Sequence, residues 1–87
     1  MSYSLEIGLK ADGVFRRMKR KGRQRLNMIN RKVEEILQNP SHYKPLRGDL
    51  HGARRVHIDG SFVLLFEVDE KNRIVRLLDF GHHDKIY

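Results

Sequence analysis

No cysteine occurs among the 87 residues, which removes disulfide cross-links and thiolate metal sites from consideration and leaves a reducing compartment compatible. No apolar run approaches the roughly 20 residues that a helix needs to cross a bilayer. The stretch Met1-Ser2-Tyr3-Ser4-Leu5-Glu6 has neither the basic nor the apolar region of a signal peptide, so the expectation is a cytoplasmic protein without a membrane partner. Internal repeats and low-complexity tracts are missing. So are the phosphate-cradling loops G-x-x-x-x-G-K-[ST] and G-x-G-x-x-G and the nucleophile elbow, which leaves nucleotide-driven and serine-triad chemistry without support. Acids are few beside the bases: 11 Asp plus Glu face 18 Lys plus Arg, for a formal charge of +7. A field of that sign attracts polyanions, nucleic acid first.

What the chain does contain reads as one domain over 1–87, with a small core. Tyr3, Leu5, Ile7 and Leu9 alternate with Ser4, Glu6, Gly8 and Lys10, the period of a half-buried strand. The period then changes. Val14, Phe15 and Met18 recur as on a helix face, with Gly22 placed as a left-handed C-cap. A second helix begins near Gly22, carries Leu26, Ile29, Val33, Ile36 and Leu37 at helical spacing, and must end by Asn39 because Pro40 follows. Both prolines, Pro40 and Pro45, fall in one loop. The glycine-containing stretch Leu46-Arg47-Gly48-Asp49-Leu50-His51-Gly52 returns the chain to Ala53–Ile58, which alternates again: Arg54, Val56 and Ile58 on one face, Arg55 and His57 on the other. After the turn dipeptide Asp59-Gly60, Phe62–Phe66 is a continuous apolar run of the kind buried on both faces of a sheet. The polar turn Asp69–Arg73 joins it to Ile74–Phe80, and Gly81 stops that strand. The order β-α-α-β-β-β predicts a two-layer α+β fold, an N-terminal helical hairpin packed on a small, mainly antiparallel sheet.

Three groups of residues carry chemistry. Between Arg16 and Arg25 seven of ten residues are basic, namely Arg16, Arg17, Lys19, Arg20, Lys21, Arg23 and Arg25, with no acid among them. They straddle the helical bend and suit phosphate, setting affinity more than sequence choice. His57 lies near a strand end beside a tight turn, in company with Arg55. His82 and His83 follow the last strand; if the tail forms a helical turn, His83 and Tyr87 share a face. Any of these imidazoles can serve as base, acid or stacking group. His51, His57, His82 and His83 coexist with Asp49, Asp59, Asp79 and Asp84, but no spacing is specific to zinc and a positive surround opposes a dication. No metal and no cofactor are expected. The chemistry that fits is cleavage of RNA: imidazole takes the 2′-hydroxyl proton, the oxygen attacks the adjacent phosphate, a second donor assists the leaving 5′-oxygen, and cations stabilise the added charge.

The order of elements, Leu46-x-Gly48-x-Leu50-x-Gly52 before an arginine-bearing strand, and the ending Gly81-His82-His83-x-x-Ile86-Tyr87 together resemble the RelE/ParE superfamily of toxin–antitoxin toxins over essentially the whole chain. The tail is similar to that family's G-H-R-x-x-[VI]-Y, with His83 in place of arginine. Arg54-x-x-His57-x-x-x-x-Phe62 followed by His83 looks most like the YafQ branch of ribosome-dependent mRNA endonucleases, although Ser61 stands where that branch carries an acid and Lys44 where it carries a histidine. The resemblance implies a catalytic group of His57, His83, Tyr87 and Arg55. It implies an RNA-binding set of Arg54, Phe62, His82, Lys44 and the Arg16–Arg25 cations. The expected partners are the ribosome with its 16S rRNA and mRNA, and a cognate RelB-like antitoxin, acidic and helical, that wraps around the toxin. Two other functions stay open at this level: a ParE-like gyrase-binding toxin and a non-catalytic RNA- or ribosome-binding module.

Overall fold

A computed structural model describes residues 3–45 and 52–86. The chain runs β1 (Ser4–Ile7), α1 (Leu9–Met18), α2 (Arg23–Gln38), a single 3-10 turn at Pro40–His42, β2 (Arg54–Asp59), β3 (Phe62–Asp69), β4 (Ile74–His82) and a one-turn α3 (His83–Ile86). The four strands form one sheet in the order β1-β4-β3-β2. β1 lies parallel to β4, and the other two pairings are antiparallel. Among the described residues no helix is long and apolar enough to cross a membrane.

The helical hairpin covers one face of the sheet. Ala11, Phe15 and Met18 from α1 and Ile29, Val33 and Ile36 from α2 meet Val56, Leu64, Phe66, Val75, Leu77 and Phe80. Phe66, Leu64, Val75 and Ile36 are fully buried. The apolar run of β3 is central as expected: Leu64 and Phe66 face the helices, while Val63 and Leu65 face the other way and are buried as well. In part α3 covers that second face, packing on β4 and β3.

Three local expectations are revised. β1 is an edge strand, and Leu5 and Ile7 stay 41% and 47% exposed. Their register partners Val75 and Leu77 are core residues, so they look toward the helical layer, but that layer does not reach over the edge. Gly22 does not cap α1, which ends at Met18; it precedes α2 with φ +109, a left-handed turn that glycine adopts without a Cβ penalty. β4 continues through Gly81 to His82. The loop motif Leu46–His51 and the terminal Tyr87 lie outside the described residues.

Candidate functional site

The site grows from one end of the sheet, where the β2–β3 turn, the end of β4 and the start of α2 converge. Alternation in β2 turns Arg54, Val56 and Ile58 toward the helices and leaves Arg55 and His57 exposed on the open face. The ladder aligns His57 with Val63 and Val63 with Gly81, and an irregularity between His57 and Asp59 bends β2 just before its turn. Two strand spacings, about 10 Å, therefore separate the His57 and Gly81 backbones. A Cβ added at Gly81 would come within 3.3 Å of Ile86 Cδ1. Glycine thus lets α3 fold back onto the open face, and the His83 amide donates to the Ser61 carbonyl at 2.9 Å, tying α3 to the β2–β3 turn.

A continuous row of side chains runs along this end. The Arg25 guanidinium stands 3.9 Å from the centroid of the Phe62 ring and pairs with Asp59 Oδ2 at 3.2 Å. Phe62 stacks on Phe80 with centroids 5.7 Å apart and meets the edge of His82 at 5.6 Å. His82 and His83 stack at 4.6 Å with their planes 27° apart. Asp84 closes the row: its Oδ1 is 3.0 Å from His83 Nδ1, and its backbone N–H donates to His82 Nδ1 at 3.2 Å. His82 thereby caps α3 with its imidazole, in the manner of an N-cap side chain accepting the N2 amide. Both rings remain partly open to solvent, at 37% and 44% side-chain exposure. Beside the row is a depression of about 350 Å³ lined by Gly22, Gln24, Arg25, Met28 and Asp59.

The structure thus gathers Arg25, Phe62, His82 and His83 and sets His57 near the same end on the open face, with Arg55 two residues farther from the turn, level with Leu65. It does not bring His57 into contact with His83 through any described interaction. Arg16, Arg17, Lys19, Arg20, Lys21 and Arg23 are exposed around the α1–α2 bend, and Arg16 is paired to Asp12 at 2.9 Å. Lys44 is exposed in the loop beyond the 3-10 turn. Two residues differ from what recognition of RNA would ask. Arg54 points into the fold, where Nη1 donates to the Pro40 carbonyl at 2.7 Å and Nε is buried without a partner. Phe62 has Phe80 and the Arg25 guanidinium against its ring, so an incoming base would have to displace the arginine. Tyr87 lies outside the described residues. Two acids that the sequence offers only as a turn former or as acids beside the histidines have other partners: Asp59 pairs with Arg25, 34 positions away, and Asp84 lies against His82 and His83.

His82, His83 and Asp84 are the group among the described residues whose donor atoms lie close enough for a metal ion. Their geometry suits it poorly. Imidazole lone pairs lie in the ring planes, and rings stacked 27° from parallel aim them alongside one another instead of at one point; His82 Nδ1 is moreover already an acceptor for the Asp84 amide. Without a ring rotation these residues do not fit a tetrahedral ion.

Fold and site together define a small α+β protein with a cationic helical bend beside a histidine-bearing sheet end. A family model described as the ParE toxin of type II toxin–antitoxin systems, parDE, matches residues 11–87, and the chain is a member of that RelE/ParE toxin family. A relative carrying the name toxin RelE4, from Methanocaldococcus jannaschii, is 48% identical over 85 residues, covering 98% of this chain and 90% of its own. The toxin–antitoxin complex RelBE2 of Mycobacterium tuberculosis superposes with a TM-score of 0.77 at 20% identity, covering 95% of this chain and all of the matched one. The DinJ–YafQ toxin–antitoxin complex of E. coli does so with a TM-score of 0.76 at 16% identity, covering 100% and 99%. At those identities the structural likeness carries the fold alone.

Proposed function

We propose that this toxin is a metal-independent endoribonuclease that cuts ribosome-bound mRNA in the A site and so stops translation, with a cognate antitoxin as its inhibitor. The observation that carries this reading is the unbroken row from the basic helical bend through Arg25 and Phe62 to His82, His83 and Asp84. A phosphate-attracting surface that ends on solvent-open imidazoles has the parts needed to cleave RNA, whose 2′-hydroxyl supplies the nucleophile. His57 and His83 share the proton transfers. One takes the 2′-hydroxyl proton as the O2′–P bond forms, and the other gives a proton to the 5′-oxygen as the P–O5′ bond breaks. Arg55 stabilises the charge gathered on the phosphorane oxygens. Tyr87 is assigned a supporting part through the family resemblance only. The ribosome holds the mRNA in line, so free RNA is a poor substrate.

We assign the inhibitor to a groove beside the β1 edge. Ile7, Phe15 and Leu26 line a groove of about 500 Å³ rimmed by Asp12, Arg16 and Lys19, and Leu5 extends the apolar surface along the β1 edge. An acidic amphipathic antitoxin segment matches both its apolar floor and the chain's +7 charge.

Translating ribosomes incubated with the pure protein in EDTA test the proposal. Cleaved mRNA is expected, with His57→Ala and His83→Ala each lowering the rate by about a hundredfold or more while the circular dichroism spectrum is unchanged. Intact mRNA, or full activity in both variants, overturns it. The family model's ParE description favours a second reading, a gyrase-binding toxin with no nuclease site; loss of supercoiling activity with mRNA intact would establish that one instead.

A further inference from the structure

Arg25 closes the basic bend against the sheet. Its Nε and Nη2 both donate to Asp59 Oδ2, at 3.4 and 3.2 Å, and its guanidinium carbon stands 3.9 Å from the centroid of the Phe62 ring. The N–H bonds of a guanidinium lie in its plane, so the carboxylate takes an edge. An N–H edge turned to the ring would hold the carbon farther off, so a flat side rests on Phe62. Phe62 in turn stacks on Phe80 with planes 18° apart, and Phe80 belongs to the core at 6% exposure. The three groups form a column that starts in the interior.

What this column offers at the surface is arginine. A guanidinium has two faces, and Phe62 uses one. The Arg25 side chain stays 36% exposed, and against it lies the depression of about 350 Å³ that it forms with Gly22, Gln24, Met28 and Asp59. Those walls suit a flat heterocycle. Met28, 37% exposed, supplies a polarizable thioether, and the Gln24 carboxamide carries both a donor and an acceptor for a base edge. With two of its nitrogens turned to Asp59, Arg25 is a poor fork for phosphate, but a guanidinium plane is a surface on which unpaired bases stack.

We infer that the outer face of Arg25 is a stacking platform for one unpaired nucleobase of RNA, seated in this depression, and that Asp59 is the positioning residue that holds the arginine on Phe62. The inference rests on the nuclease reading above only in taking single-stranded RNA as the ligand. Phe62 then supports the base through Arg25, and the arginine stays in place. Asp59 weakens the local attraction for phosphate; what it secures is the orientation of the platform.

Binding of the full chain to a short single-stranded RNA with 2′-O-methyl riboses, which lacks the nucleophile and is not cut, tests this apart from catalysis. An abasic oligomer of equal length and charge is the control. Arg25→Ala should weaken binding of the base-bearing oligomer about tenfold, as for one stacked base, and that of the abasic one less than twofold. Arg25→Lys keeps the charge without the plane and should behave like alanine. A lysine variant with native affinity, or an alanine variant that loses equally for both oligomers, makes Arg25 a phosphate contact and overturns the inference. Asp59→Ala should weaken binding three- to tenfold although it removes a negative charge, and Asp59→Asn, which retains an acceptor oxygen, should recover part of that loss. Tighter binding in Asp59→Ala overturns the positioning role. In ¹H–¹⁵N spectra of the native protein, which need no substitution to fold, the Arg25 Nε–H resonance should move upfield under the ring current of the stacked base. A stationary resonance, or the same shift with both oligomers, overturns the platform. Stacking at Arg25 in a protein that leaves ribosome-bound mRNA intact refutes the nuclease and keeps the platform, and cleavage without stacking does the reverse.

Discussion

Arg54 and Arg55 are neighbours of the same chemical type, and the strand sends them to opposite environments. Arg55 sits exposed beside His57 on the open face. Arg54 turns under the sheet, bonds the Pro40 carbonyl and leaves a buried Nε, so it anchors the loop after α2 to β2. A charge-assisted hydrogen bond of this kind contributes about 1.5–3 kcal/mol. Arg54→Ala should therefore lower the denaturant midpoint by an amount corresponding to that range, and lysine should not restore it, because an ammonium cannot reproduce the planar fork. Arg55→Ala should act on RNA cleavage instead. The sequence places the pair on opposite faces correctly, since period-2 alternation is a local property. Which face would carry an internal carbonyl acceptor depends on Pro40, 14 residues away, and no local pattern encodes it.

Among the elements, turns decide where the two layers meet. Gly22 holds φ +109 between α1 and α2, and a Cβ there would find Met18 no closer than 3.8 Å. Space is available, so Gly22→Ala costs only the left-handed backbone, about 1–2 kcal/mol, readable as a lower thermal midpoint. Because α2 starts there, a displaced bend would also carry Arg25 off Phe62. The β3–β4 turn is built differently: the Asp69 carboxylate accepts from the Asn72 amide and from its side chain. Those bonds, the side-chain one foremost, hold the Asp69 carboxyl below its usual range. A carboxyl depressed on folding stabilises the protein above its unfolded pKa and loses that contribution as pH falls through the folded one. Thermal melts from pH 7 down to pH 2 should thus show part of the acid destabilisation vanishing in Asp69→Asn. The polar composition of 69–73 announced this turn. The edge position of β1 was not announced, because alternation marks which side chains share a face and is silent on whether a second layer covers it.

At the scale of the whole molecule, charge and shape act together. The seven cations of the bend begin at Arg16 and end at Arg25, and the fold gives two of them other partners, Asp12 and Asp59. Five remain outside those pairs, so binding to single-stranded RNA should weaken with salt at a slope near −3.5 on a log–log plot, not the −5 or so that seven phosphate contacts would give. Filter binding between 50 and 300 mM salt reads the difference. Periodicity, turn residues and the charge run determined the order of elements, the membership of the helical faces and a polyanion-attracting bend, since each is written in neighbours a few positions apart. Only the tertiary structure decided that the bend ends on Phe62, that Arg54 is half-buried against the Pro40 carbonyl, and that the Asp84 amide is capped by the His82 ring. Such contacts join residues from Arg25 to Asp84 through strand register and the return of a single helical turn, and register is settled by the packing of the whole core.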